Sequence, residues 1–234
     1  MSRYLLITGA SKGIGFATAQ CFVEQGYKVV NISRSPCEIA DVTNLQIDLT
    51  TPGWEEANGA AILAALGNPE QLCVVHNAAL LEKDTIKDLN ASRLRNVLEL
   101  NVVAAVLLNQ IVLAKMSPDS SIIYVGSTLG TKAVANTCSY ATSKHALIGL
   151  MRATCQDLAG SMIHTACVCP GFTKTEMLQE HLGNDEQIYA AIAAGMTHKR
   201  LIEPVEIADA IYFCAQTPVI NGTVLDANLG QIQN

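Results

Sequence analysis

The chain has 234 residues, half of them hydrophobic and 15% charged, with a formal net charge of −6. That length fits one domain over 1–234 with a sizeable core, the acidic balance leaves no basic footprint for nucleic acid, and no apolar run approaches the ~20 residues of a membrane helix. The charged fraction lies below the usual ~25%, which points to surface covered by other subunits, and eight cysteines without a Cys-x-x-Cys pair suggest neither a metal site nor a disulfide framework, as suits a cytoplasmic protein.

Tyr4–Thr8 is a short apolar run that reads as a buried strand. Gly9-Ala10-Ser11-Lys12-Gly13-Ile14-Gly15 follows, and then apolar residues recur at helical spacing (Ile14, Ala17, Cys21) up to Gly26. Strand, glycine turn and helix together form a dinucleotide-binding unit. Glycine lets the backbone approach a pyrophosphate, and the free amides of the helix N-terminus favour its charge. Gly9, Ser11, Lys12, Gly13, Ile14 and Gly15 are therefore assigned to a cofactor; the alternative is a tight turn with no ligand. Lys28–Ile32 gives a second strand ending at Ser33-Arg34, where dinucleotide folds read the adenosine ribose. No acid is present there. Arg34 offers a planar fork for a 2′-phosphate and Lys12 adds charge at the same end, so NADP(H) is preferred and NAD(H) is the second choice.

Residues 35–44 contain Pro36 and little helical periodicity, and Leu45–Asp48 reads as a third strand. That connection is too short for a full helical crossover, so this sheet edge should be thinly covered. Trp54–Leu66 reads as a helix and Gln71–His76 as a fourth strand, running into Asn77-Ala78-Ala79. Ser92–Met116 has continuous helical spacing and carries Asn101 on its apolar side, where an amide needs partners. Ser121–Val125 is a fifth strand ending at Gly126-Ser127, a position suited to chemistry because open α/β sheets bind ligands beyond their carboxyl ends. Ser139 opens a helix continuing to about Ala159, with Tyr140 and Lys144 four apart on one face; an ammonium beside a phenol should lower its pKa. Ile163–Val168 is a sixth strand, Glu176–Arg200 is amphipathic, Pro204–Gln216 is the last helix and Thr223–Leu225 a seventh strand. The fold class is α/β: a three-layer, doubly wound, Rossmann-like parallel sheet.

The glycine spacing, Asn101, Ser127, Tyr140 and Lys144, in this order and over essentially the whole chain, resemble the short-chain dehydrogenase/reductase family. The resemblance implies a hydride transfer between a nicotinamide cofactor and a small-molecule carbonyl or secondary alcohol. Tyr140 would be the general acid/base, Lys144 would lower its pKa and bind the nicotinamide ribose, Ser127 would polarise the carbonyl, and Asn101 would bend its helix and support a relay water. It further implies that Asp48 and Leu49 meet the adenine, although Asp48 reads almost as well as a turn cap. Asn77 and Ala78 would pass the ribose, whereas His76 and Ala79 depart from the family's Asn and Gly. Pro170, Gly171, Thr173 and Thr175 would hold the carboxamide end, and about 172–200 would form a substrate flap. It also implies a homodimer or homotetramer built on the helices around Ser92–Met116 and Ser139–Ala159. A 3-oxoacyl-thioester reductase of fatty-acid synthesis is one substrate alternative. A catalytically silent dinucleotide-binding sensor or scaffold is the rival from another class.

Overall fold

The computed structural model describes residues 2–231. Seven strands form one parallel sheet: β1 (Arg3–Thr8), β2 (Lys28–Ser33), β3 (Thr43–Gln46), β4 (Gln71–His76), β5 (Ser121–Val125), β6 (His164–Pro170) and β7 (Thr223–Ala227), in the order β3-β2-β1-β4-β5-β6-β7. The order reverses between β1 and β4, so the crevice beyond their carboxyl ends is the natural ligand site. Among the described residues eight α-helices flank the sheet: α1 (Gly13–Glu24), α2 (Trp54–Leu66), α3 (Ala91–Leu98), α4 (Ala104–Val112), α5 (Cys138–Asp157), α6 (Glu176–Leu182), α7 (Glu186–Ala194) and α8 (Pro204–Gln216).

Because successive strand residues point to opposite faces, β1 divides its aliphatics between two cores. Leu6 joins Val74, Ile122 and Tyr124 under α2, α4 and α5. Leu5 and Ile7 join Val75, Ile123 and Val168 under α1 and α8. Phe22 of α1, fully buried, meets Tyr27 and Tyr212 edge-on at 4.9 and 5.1 Å and so locks α1 to α8. Truncating such a ring costs about 3–5 kcal/mol.

Several boundaries differ from the sequence reading. The buried side of α1 is Gly15, Thr18, Ala19 and Phe22, rather than the Ile14, Ala17, Cys21 stripe. Thr18 tolerates burial because its hydroxyl donates to the Ile14 carbonyl at 2.8 Å. β3 lies at Thr43–Gln46, ahead of the expected Leu45–Asp48, so Ile47 and Leu49 enter the core from the segment that follows it. β6 runs on through Cys169 to Pro170 because both still pair with β7.

The 35–44 connection has no helix, yet the sheet edge is not bare: Cys37 is buried and Ile39 and Val42 pack against the core. Asn44 holds this segment in place. Its side chain accepts from the Cys37 amide at 2.8 Å and donates to the Cys37 carbonyl at 3.1 Å, while Asn31 donates to it at 2.8 Å.

The expected single helix over Ser92–Met116 is instead α3, a π turn at Glu99–Val103, α4 and a 3-10 turn at Leu113–Lys115. This Ala91–Lys115 stretch reaches a mean hydropathy of 2.0, long and apolar enough to cross a membrane by length and composition, where the sequence reading found no such run. In this fold its inner side packs into the core through Val97, Ala104, Leu108 and Val112.

Candidate active site

The glycine loop is built around close approaches. A Cβ on Gly15 would lie 2.1 Å from the Gly9 carbonyl and 2.5 Å from the Asn77 amide, so no other residue fits there. Gly9 turns with φ +73° directly over Ala78. Asn77 donates to the Thr8 and Gly9 carbonyls at 3.1 and 2.9 Å, and the Thr8 hydroxyl accepts from the Asn77 and Ala78 amides, both at 3.0 Å. Asn31, buried within β2, accepts from the Ala10 amide at 3.0 Å. The loop is thus held from β2 and β4 together. No side chain caps α1, leaving its first-turn amides facing the crevice behind the glycines, a donor set suited to a pyrophosphate.

At the edge of this cradle Arg34 is exposed and lies close enough to Asp48 to help lower its carboxyl, though the Thr50 hydroxyl does most of that lowering. One Asp48 oxygen accepts from both the Thr50 amide and hydroxyl, at 2.9 and 2.7 Å, the turn-cap geometry. Ser33 gives its hydroxyl to the Ser35 carbonyl. Lys12 pairs with Glu180 of α6 at 3.1 Å, tying α6 to the glycine loop. Pro170 ends β6 and Gly171 follows it. The Thr173 hydroxyl bonds back to the Gly171 carbonyl at 3.1 Å, and Thr175 caps α6 through the Leu178 amide at 3.2 Å.

β5 ends beside the N-terminus of α5, which brings Ser127, Tyr140 and Lys144 together. Tyr140 and Lys144 are both buried. Desolvation pushes the Tyr140 phenol up to about 12, against the lowering effect of its hydrogen bond with Ser127. The expected depression by Lys144 is therefore corrected. The ammonium lies 5.5 Å from the ring centroid and donates to the Val125 carbonyl at 2.8 Å, over the ring face rather than at the hydroxyl. Burial also pulls Lys144 down, to about 8. Asn101 lies in the π turn, a local distortion of the helix; such turns often mark functional sites. Its side chain accepts from the Leu80 amide at 2.7 Å and donates to the Leu80 carbonyl at 3.0 Å and the Ser143 hydroxyl at 2.9 Å. Ser143 in turn donates to the Tyr140 carbonyl at 2.7 Å. The Asn101 amide thus anchors the loop after β4 to α5.

Residues 3–186 match the family model described as short chain dehydrogenase. The chain belongs to this family. The short-chain dehydrogenase described here is 30% identical to a 3-oxoacyl-(acyl-carrier-protein) reductase of Vibrio cholerae, over 97% of this chain and 96% of that one. It is 27% identical to carbonyl reductase family member 4 of Xenopus laevis, over 96% of each. Among solved structures, ligand-free aldohexose dehydrogenase of Thermoplasma acidophilum superposes with a TM-score of 0.88 at 27% identity, covering 98% of this chain and 94% of the other. ElxO with NADP bound gives 0.87 at 25%, covering 98% of each. The dehydrogenase is accordingly an NAD(P)-dependent oxidoreductase acting on CH–OH and C=O groups.

Sequence reasoning missed several groups around the site of this dehydrogenase. Cys167 and Cys169, alternate residues of β6, bring their sulfurs within 3.8 Å in the space left by Gly126, whose Cβ would lie 2.7 Å from both. The two thiols share this contact; it and burial hold Cys167 up, whereas the same contact and the Ser127 amide hold Cys169 down. Strand alternation put both thiols on one face; that this face lies under Lys144 required the fold. His76 turns away from the cradle to Asn109, at 2.8 Å, and lies against Tyr124 at 5.0 Å between ring centroids.

Proposed function

We propose that this short-chain dehydrogenase is an NADP(H)-preferring reductase of a carbonyl group, with Tyr140 as general acid and, in the reverse direction, general base. The observation that carries the reading is the buried Tyr140 phenol, hydrogen-bonded to Ser127 at the carboxyl end of β5; reduction is the direction that goes with an NADPH cofactor. Protonated at neutral pH, it can give its proton to a developing alkoxide, and as the phenolate it can take one from an alcohol. Ser127 orients the carbonyl oxygen and stabilises charge on it. Lys144, charged below about 8, adds positive potential at the same place. When bound, the dinucleotide supplies the hydride.

The residues that would hold it are the loop Gly9–Gly15 for the pyrophosphate, Arg34, Lys12 and Ser33 for the 2′-phosphate, Asp48 and Leu49 for the adenine, Asn77 and Ala78 for the adenosine side, Lys144 for the nicotinamide ribose, and Pro170, Gly171, Thr173 and Thr175 for the carboxamide. The segment 172–200, carrying α6 and α7, is the substrate flap. The absence of an acid after β2 and the exposed Arg34 support NADPH.

Calorimetric titration with NADPH and NADH tests the cofactor: NADPH should bind tighter and Arg34→Ala should remove the difference. Equal affinities in the wild-type protein would overturn the preference. Turnover of a carbonyl panel tests the chemistry, with Tyr140→Phe expected to lose about 100-fold or more while keeping its cofactor. A 3-oxoacyl thioester is the second substrate reading, favoured by the named activity of the Vibrio cholerae relative. Against it, Lys174, one of the few cations at the rim, is taken by Glu203 and offers less to an acidic carrier protein. Comparing rates on a carrier-bound 3-oxoacyl thioester and on small ketones decides between them.

A further inference from the structure

Among the described residues Asp84 is the only buried carboxylate, 1% exposed, and it lies outside the groups assigned above. It sits on the loop that leaves β4, four residues beyond the Leu80 that Asn101 grips. One carboxylate oxygen accepts from the Ser139 amide at 2.9 Å and the other accepts from the Ser139 hydroxyl in a short contact. Its backbone makes a parallel bridge with Thr137: the Asp84 amide donates to the Asn136 carbonyl and the Cys138 amide donates to the Asp84 carbonyl, both at 3.3 Å.

These contacts fall on the first turn of α5 and the two residues before it, immediately ahead of Tyr140. The residue at the N-cap position, Thr137, does not cap the helix; its hydroxyl donates to the Val134 carbonyl at 2.8 Å instead. The cap comes from another loop, 55 residues away in sequence. A carboxylate is the strongest acceptor for such a helix end, where free amides and the helix dipole both favour negative charge. Ser139 is fully buried, so water has no ready way to replace the lost partner.

We propose that Asp84 is a positioning residue for the reaction. By capping α5 from outside, it fixes the depth and orientation at which Tyr140 enters the site. The Asn101–Ser143 contact fixes the next turn of the same helix, from the π turn that also holds Leu80 of the same loop. This inference rests on the reductase reading, because it takes Tyr140 as the reacting group. A misplacement of about 1 Å at such a group costs on the order of 100-fold in rate.

The test compares wild type, Asp84→Ala, Asp84→Asn and Ser139→Ala by steady-state kinetics, NADPH titration and hydrogen exchange at the amides of 138–141. Asparagine keeps an acceptor for the Ser139 amide, so it should recover most of what alanine loses. We expect Asp84→Ala to lower kcat by about 10- to 100-fold with KM and the NADPH affinity within about twofold of wild type, and Ser139→Ala to fall between. If Asp84→Ala does not fold, the same kcat-specific loss in Ser139→Ala carries the test. A kcat within twofold of wild type in the folded variants overturns the proposal. So does a parallel loss of kcat, KM and cofactor affinity that asparagine does not rescue, since that is collapse of the site rather than misplacement. If the wild-type protein reduces no carbonyl at all, it is the reductase reading that fails. Amide exchange then still decides the cap: faster exchange in Asp84→Ala sustains it, and unchanged exchange removes it.

Discussion

Burial moves three side chains near the sheet's carboxyl edge away from their ordinary charge states, and each shift has a measurable sign. Lys144 is pulled down to about 8, so it carries its charge only below that pH. With Tyr140 protonated up to about 12, Lys144 sets the upper limit of carbonyl reduction, and kcat should fall as pH rises through about 8. Lys144→Arg keeps its charge at every working pH, so this limb should vanish from whatever activity remains; a limb that persists in the variant would assign it elsewhere. His76 is buried neutral, with desolvation pulling it down to about 4 against the raising effect of its bond to Asn109. A folded-state pKa below the unfolded value means that the unfolded chain binds the extra proton. Stability is therefore intact above about 6.5 and lost as pH falls from about 6.5 to about 4, by about 3 kcal/mol in all. Urea unfolding of wild type and His76→Asn across that window measures the loss. The variant should show a flatter acid limb, and equal slopes would mean that another group is responsible.

At the scale of elements, the short connection between β2 and β3 shows what replaces a crossover helix. Asn44 satisfies the Cys37 amide and carbonyl and receives Asn31, which in turn holds the Ala10 amide of the glycine loop. Asn44→Ala leaves these partners unpaired and should cost about 2–4 kcal/mol. Because the chain of contacts ends at Ala10, the same variant should also bind NADPH several-fold more weakly, although Asn44 lies outside the cradle. A melting scan with a cofactor titration checks both, and a loss of stability with unchanged affinity would separate the clamp from the loop. This region also marks the limit of what was legible in the sequence. Trp54–Leu66 and Pro204–Gln216 stand at their expected bounds because Gly67 and Pro204 punctuate strong periodic runs. β4 and β5 likewise match, as aliphatic runs buried on both faces. The glycine loop and the Ser127, Tyr140, Lys144 group were legible because their spacing reflects local geometry. The buried face of α1, the early position of β3 and the depth of Tyr140 were not. Each depends on partners distant in sequence, and spacing that puts Tyr140 and Lys144 on one face does not say how far from water that face lies. Asp84 had no signal at all, since only the folded chain brings it to Ser139.

On the scale of the whole molecule, the helical stretch Ala91–Lys115 is apolar enough for a buried element, yet only 33% of its most apolar window is buried in one chain. Val103 and Leu113 are 37% and 41% exposed on its outer side. The outward face of α5 beside it carries Thr142, His145, Ala146, Gly149, Arg152 and Ala153, all exposed and mostly small, which lets another backbone approach closely. The inner face of the same helix carries Ser139, Tyr140, Ser143 and Lys144, all buried. We propose that a second copy of the chain covers the outer face, in a homodimer or homotetramer, so that assembly steadies the helix that holds the reacting groups. Gly149 offers a clean test, because a Cβ built there meets nothing within 4 Å in the isolated chain. Gly149→Arg therefore fits the fold, and replacing a helical glycine should favour α5 by roughly 0.8–1 kcal/mol. Against a second copy the arginine has no room. Light scattering should show the wild-type protein as an oligomer and the variant at a lower mass than the wild type. Circular dichroism should be unchanged, while the variant's melting temperature should fall because it no longer gains stability from association. If Gly149→Arg assembles as the wild type does, the outer face of α5 is not the contact, and the exposed apolar residues of α8, Val205 and Phe213, become the surface to test by the same measurement.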